Sequence, residues 1–250
     1  MRTVLRTLSP ETDHMSDPVT RLASLDEPWT ETKLEKVLIE VAANDGFDHA
    51  AAFTLPSTDE QGLHTRYLLG NWSASFQRSY EKCGLHRHKV VVATLNTDPM
   101  PFEWDIDTLY GISDPSPSEG ARLVAGAGWS EGVLLPVHGM TAICGALSLA
   151  GPGPLPPQTR IRQLQAFAFT FFGMLAAVRF EENRRNNPLT SRERDSLRLA
   201  MLGKTSAEIG LILGISEYTV SQYLTSAQRK LSASNRTHAV AMAAQLGYLS

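Results

Sequence analysis

The chain has 250 residues, 42% of them apolar and 20% charged, which suits two modest domains with cores of their own. Cys83 and Cys144 lie far apart without metal-type spacing, so neither a disulfide framework nor a zinc site is expected. The net charge of −3 would disfavour a nucleic-acid partner, but residues 1–187 hold 16 Lys/Arg against 22 Asp/Glu while residues 188–250 hold 7 against 4, leaving the last quarter with the sign that phosphate contacts require.

The opening residues MRTVLRTLSPETDH contain no apolar run of signal-peptide length, and no later stretch reads as a membrane span. The expectation is a cytoplasmic protein without a membrane partner. Residues 1–28 are polar and carry Pro10, Pro18 and Pro28, the composition of a loose leader, and Met15 offers an alternative start. Thr30 to Asn44 predicts an amphipathic helix, with Leu34, Val37, Leu38 and Val41 on one face and Gly46 ending it. Strands are expected over Phe47–Leu55 and Arg66–Leu69. Asn71 to Glu81 predicts a helix that places Trp72, Phe76 and Tyr80 four residues apart on one face.

Val90 to Trp104 carries a β-branched run and then Pro99 and Pro101, and is expected as strand or irregular wall. Pro115 to Ala127 predicts a helix. Gly132–Val137 and Ala142–Ala150 predict two strands joined by a hairpin through His138-Gly139-Met140-Thr141. One long helix is expected from Gln158 to about Arg185, apolar at Ile161, Leu164, Phe167, Phe171, Leu175 and Val178. Glu181 to Pro188, EENRRNNP, has the composition of a solvated linker. The predicted organisation is therefore a leader (1–28), an α/β domain built as an α-β-α sandwich (29–180), the linker (181–188) and an all-α domain (189–250).

The last domain carries the plainest chemistry. Ser191 to Leu202 has helical apolar spacing and is stopped by Gly203. Thr205-Ser206-Ala207-Glu208 opens a second helix with a hydroxyl at the cap and a carboxylate three residues on. Gly214 ends that helix, and Ser216 caps a third. In the third helix Val220, Tyr223, Leu224 and Leu231 are expected inward and Thr219, Ser221, Gln222 and Thr225 outward. Two short helices around a glycine-containing turn, the second with small polar groups outside, form a helix-turn-helix. Gln222 is the candidate for bidentate adenine contact, and Arg229 and Lys230 are candidates for phosphate.

The run LTxRExxxLxxxxxGKTxxEIxxxLxISxxTVxxYLxxAxxKL…NRTxAV resembles the DNA-binding domain of LuxR-type transcription regulators over roughly sixty residues without a gap. Glu193, Leu197, Gly203, Glu208, Ile209, Thr219, Val220, Lys230 and Leu231 fall on its signature positions. The order of elements before it resembles the family's autoinducer-binding domain, which holds an acyl-homoserine lactone between sheet and helices. Pro101-Phe102-Glu103-Trp104 resembles a family motif whose indole bonds the lactone carbonyl, so the resemblance gives Trp104 that role. It also places Tyr80 at a tyrosine that bonds the acyl amide carbonyl, Phe76 and Trp72 at aromatic positions beside it, and Ser148 at a hydroxyl that reaches the acyl group. Gly132 and Pro136 fit the family's strand motif.

One position departs from the pattern. Counting without a gap, Lys89 falls where the family has an aspartate that accepts the ligand's amide N–H, and an ammonium has donors only. Three readings stand open: a slipped register with Lys89 in solvent beside Asp98 or Glu103, a ligand that offers an acceptor to the ammonium, or a pocket filled by its own side chains. The resemblance implies a quorum-sensing regulator with a non-standard ligand or ligand-independent action, or alternatively one responsive to a standard acyl-homoserine lactone. A phosphorylation-driven response regulator and an enzyme fused to a DNA-binding module are the remaining alternatives, although no nucleophile elbow, phosphate loop or metal constellation supports an enzyme. His86 and His88 flank Arg87 without a third metal ligand. The implied partners are double-stranded DNA, RNA polymerase, a small-molecule signal and a second copy of the chain, with no cofactor. The long helix is the expected dimer contact through Leu164, Phe167, Phe171 and Leu175, and His238 to Leu246 a second one.

Overall fold

The computed structural model describes residues 17–54, 66–138 and 145–249. The expected hairpin residues after His138, the start of the second hairpin strand including Cys144, Leu55, and the first sixteen residues lie outside that set. The chain divides into two compact units, one ending at Ala176 and the other beginning at Ala177; each is described by itself.

The first unit is a five-stranded antiparallel sheet with helices on both faces. The strands are β1 (His49–Thr54), β2 (Arg66–Gly70), β3 (Phe102–Asp105), β4 (Glu131–Val137) and β5 (Gly145–Gly151), in the order β2-β1-β5-β4-β3. Along the central strands the two faces separate by alternation. Ala51, Phe53, Ala146 and Ala150 belong to an aromatic cluster on one face, while Ala50, Ala52, Leu147 and Leu149 are buried on the other. Alanines at the crossing points let the covering helices approach closely.

The helices α1 (Pro18–Ala23) and α2 (Glu31–Asn44) pack on each other, and α2 packs on β1 and β2. The stretch expected as loose leader is thus helical from Pro18: Asp17 caps α1, and Leu22 is fully buried. Thr30 caps α2, and Leu34, Val37, Leu38 and Val41 are buried as the spacing predicts, with Ala42 beside them. The long α7 (Gln158–Arg185) lies on the same side. Arg160 forks onto both carboxylate oxygens of Asp45 at 2.7 and 3.0 Å, and Gln165 donates to the Pro136 carbonyl of β4. A Cβ on Gly145 would sit 2.2 Å from the Phe172 ring, so glycine permits the helix to lie this close to β5.

Two expectations are corrected here. Leu164, Phe167, Phe171 and Leu175 are fully buried within the chain's own core and offer no surface to a second copy. Their period marks the core face of α7; its exposed residues in this unit are Gln158, Thr159, Arg162, Gln163, Ala166, Phe169 and Gly173. That burial also makes α7, long and apolar enough to cross a bilayer by composition, a core helix. The second correction is Val90 to Thr97, which is not strand or wall but a helix, α4 (Lys89–Thr97), burying Val91, Val92 and Leu95 at one-turn spacing. The strand in this region is confined to β3.

The opposite face of the sheet is covered by α3 (Ala74–Lys82), a short 3-10 turn at Leu85–Arg87, α4, α5 (Ile106–Tyr110) and α6 (Glu119–Gly126). Ser73, Asp105 and Ser118 cap α3, α5 and α6 through their side chains.

The second unit is helical: α8 (Ser191–Met201), α9 (Ser206–Leu213), α10 (Glu217–Lys230) and α11 (Arg236–Gln245) enclose Leu197, Ile209, Val220, Leu224, Leu231 and Ala239. Both α8 and α9 open with complete capping boxes, Thr190 with Glu193 and Thr205 with Glu208. Gly214 ends α9 at φ +69°, a conformation that favours glycine. Gly210 serves a different end, since a Cβ there would lie 2.7 Å from the Ile215 carbonyl across the turn into α10.

Candidate functional site

Two sites emerge, one in each unit. In the first, Trp72, Phe76, Tyr80 and Trp104 converge on the helix-covered face of the sheet. Trp72 lies just before α3 instead of inside it, yet its ring centroid is 5.0 Å from Phe76 and 4.9 Å from Tyr80. Trp104 reaches the group from β3, and Gly132 on β4 makes room for it: a Cβ there would lie 2.3 Å from the Trp104 ring. By strand alternation Ser148, buried on β5, shares the face of Ala146 and Ala150 in the cluster.

The hub of the cluster is a residue that the sequence reading missed. Trp129, in the turn between α6 and β4, contacts Trp72, Phe76, Tyr80 and Trp104 with ring centroids 5.4 to 6.4 Å apart. Tyr110, at the end of α5, was missed too; it stands edge-on to Trp104 and hydrogen-bonds Tyr80 through the hydroxyls. Burial pushes both phenols well above their ordinary range, so both remain protonated. Tyr67, packed on Trp72, is pushed up to about 12 by burial, with a smaller push from the Glu35 charge.

Not every buried polar atom in and beside this cluster is paired, the Nδ1 of His88 against Tyr110 being one. The indole N–H groups of Trp72 and Trp129 are buried and have no hydrogen-bond partner, although their side chains are only 6% and 2% exposed. Each such donor costs about 1–3 kcal/mol relative to a paired one. Lys89 is not brought into the group. It stands exposed in the first turn of α4, with no ion pair among the described residues to Asp98 or Glu103.

The second site lies on α10. Ser221, Gln222, Thr225 and Arg229 are exposed and line a groove of about 740 Å³ with Tyr218, Thr219 and Tyr223. Thr219 is half-buried, and its hydroxyl pairs with Ser216 at 2.8 Å. Gln222 Nε2 donates to the Tyr218 hydroxyl at 2.8 Å. Tyr218, 73% exposed, was passed over in the sequence, where its spacing of four from Gln222 was the available signal. The pairing uses one amide hydrogen and leaves the other, with the carbonyl oxygen, for a base edge.

Lys230 does not project toward this groove as a free phosphate contact. Its ammonium is 2.8 Å from Glu193 Oε2, and Glu193 also accepts from Ser226 and from the Thr190 backbone. Burial alone would raise the Glu193 carboxyl, but these bonds outweigh it and bring it down to about 2. Lys230 therefore ties α10 to α8, while Arg229 remains on the groove.

Comparison with known proteins agrees with both halves. Residues 30–175 match the autoinducer binding domain, and residues 187–243 match the luxR family of bacterial regulatory proteins. The chain is 32% identical to the transcriptional activator protein BjaR1 of Bradyrhizobium diazoefficiens over 199 residues, covering 79% of this chain and 81% of that protein. It is 32% identical to the quorum sensing-dependent regulator RpaR of Rhodopseudomonas palustris, covering 90% of each. Among solved structures, SdiA of Escherichia coli superposes with a TM-score of 0.67 at 22% identity, covering 94% of this chain and 99% of that one. A second SdiA structure, in complex with octanoyl-rac-glycerol, gives a TM-score of 0.66 at 21% identity, covering 96% and 98%. With an autoinducer-binding sandwich followed by this helix-turn-helix, the chain belongs to the LuxR family and is a quorum-sensing, DNA-binding transcription regulator rather than an enzyme.

Proposed function

We propose that the protein acts in the cytoplasm as a homodimer that lays α10 of each copy in the major groove and reads bases with Ser221, Gln222 and Thr225. The observation that carries the reading is the exposed polar ridge of α10, where Gln222 is held by Tyr218 and flanked by Arg229. One helix reads only a short half-site, so a twofold arrangement is expected. The exposed face of α7, with Ala166, Phe169 and Gly173, is the surface for the second copy. Contact with RNA polymerase belongs to the same reading.

The small-molecule signal is taken into the aromatic cluster around Trp129. The SdiA complex holds octanoyl-rac-glycerol, an acyl ester without an amide N–H, and the cluster here favours the same class over a standard acyl-homoserine lactone. The domain boundary in this reading falls at residues 181–188, of which α7 occupies the first five. The test is sequence selection of DNA sites by the purified protein, followed by sedimentation. A twofold site and a dimer at micromolar concentration are expected. Recovery of single half-sites by a monomer would overturn the proposal.

A further inference from the structure

We infer that Tyr218 is itself a base-reading residue, whose hydroxyl, oriented by Gln222, selects a keto base, guanine or thymine, beside the adenine that Gln222 takes. The inference rests on the reading of α10 as the recognition helix and adds one position to what that helix reads. Tyr218 lies in the first turn of α10, the end of a recognition helix that meets base edges. Tyr218, Gln222, Thr225 and Arg229 line the groove at intervals of four, three and four residues, so they share one stripe of the helix. Whatever Gln222 faces, Tyr218 faces too. Its ring is largely exposed and is not part of the core of the second unit. Folding therefore does not account for an aromatic there, whereas an apolar ring with a polar tip suits an interface.

The hydrogen-bond polarity of the pair names the base. Gln222 Nε2 donates to the Tyr218 oxygen at 2.8 Å, and a phenol has one hydrogen of its own to give. With a lone pair taken by the amide, the O–H points away from Gln222 and needs an acceptor. Neighbouring base pairs stack about 3.4 Å apart, so an oxygen held 2.8 Å from the amide nitrogen reaches the edge next to the adenine engaged by that amide. At that edge guanine O6 and thymine O4 accept, whereas cytosine N4 and adenine N6 set an amino hydrogen against the O–H. At the adenine itself Tyr218 acts only through its hold on Gln222; the neighbouring base is the one its hydroxyl reads directly. A carboxylate at position 222 would reverse the polarity, since it only accepts. The phenol would then turn its hydrogen to the carboxylate and its lone pairs to the base, and the preference would pass to an amino base.

The test is selection of DNA sites from a randomised pool by the full chain, followed by titrations on singly substituted sites. The position relaxed by Gln222→Ala marks the adenine. At one base next to it the wild type should bind guanine or thymine about tenfold tighter than cytosine, the worth of one donor left unpaired. Tyr218→Phe should remove that preference and keep the rest of the site. Gln222→Glu should turn the preference toward cytosine or adenine. No preference at either neighbour, or a wild-type preference for an amino base there, overturns the inference and leaves α10 as the recognition helix. So does a Gln222→Glu variant that still prefers a keto base, or a Tyr218→Phe variant that weakens every sequence alike, which would set the hydroxyl on a phosphate. Base preference unchanged at every position by Gln222→Ala and Tyr218→Phe overturns the inference together with the reading of α10.

Discussion

Lys230 Nζ and Glu193 Oε2 stand 2.8 Å apart and join α10 to α8 around a carboxylate that is only 5% exposed. The pair accounts for two signature positions in terms of support for the helix-turn-helix, not contact with DNA. Removing the cation from a buried, hydrogen-bonded carboxylate leaves an uncompensated charge, at about 3–5 kcal/mol. Lys230→Ala should therefore reduce hydrogen-exchange protection across α8 and α10 in the absence of DNA. Unchanged protection, with a loss confined to DNA affinity, would return Lys230 to the phosphate contacts.

Acid should loosen the same unit in a defined window. The Glu193 carboxyl is held at about 2 against an ordinary 4.5. A depressed carboxylate contributes its stabilisation in full above the unfolded pKa and loses it as pH falls toward the folded one. The contribution, about 3 kcal/mol, should thus be complete above pH 4.5 and decline between pH 4.5 and 2. Exchange protection of α8 and α10 at pH 6, 4 and 3 would follow it, and Glu193→Gln should flatten the profile while lowering its plateau.

On DNA, Gln222→Ala should relax preference at one base position by about 1–3 kcal/mol. Tyr218→Phe removes the acceptor that holds the amide and should relax the same position by less, with no further loss when combined with Gln222→Ala. Arg229→Ala should instead weaken all sequences alike and reduce the salt slope by about one unit. Binding titrations on matched and singly substituted sites at several salt concentrations separate these effects; additive losses at positions 218 and 222 would show that the two side chains act independently.

The two faces of α7 should behave differently. Phe171 is fully buried and Phe169 is 46% exposed. Phe171→Glu places a charge in the core and should abolish the folded first unit. Phe169→Glu should leave circular dichroism unchanged and convert the proposed dimer to monomer in sedimentation. A dimer that survives Phe169→Glu would move the contact off this helix.

Much of this architecture is legible in local pattern. The helices that carry DNA recognition announce themselves through caps: Thr205 with Glu208, Ser216, and glycines at 203 and 214. Val90-Val91-Val92 misleads because β-branched residues suit strands, whereas burial of Val91 and Leu95 against the aromatic cluster, with Val92 buried beside them, decides for α4. The same limit hides Trp129. It sits in GAGWSEG, between a helix and a strand, where no period points to the rings it meets; only the tertiary fold brings it onto Trp72. The apolar stripe of α7 was visible, but a stripe does not say whether a sheet or a second copy covers it.

The capping boxes of the second unit carry an electrostatic consequence. Residues 188–250 hold four carboxylates, and three of them, Glu193, Glu208 and Glu217, occupy the first turns of α8, α9 and α10. Helix amino-termini are natural anion traps, and these are already filled from within. The DNA backbone therefore finds little attraction at these three helix ends, and counterion release on binding must come mainly from side-chain cations. Arg198 and Arg236 donate to carbonyls of the unit itself, which narrows that role to the remaining cations, with Arg229 foremost on the groove. A regulator built this way should hold random DNA loosely, and under the proposed reading its residence at a site would depend on the bases that Gln222 and its neighbours meet.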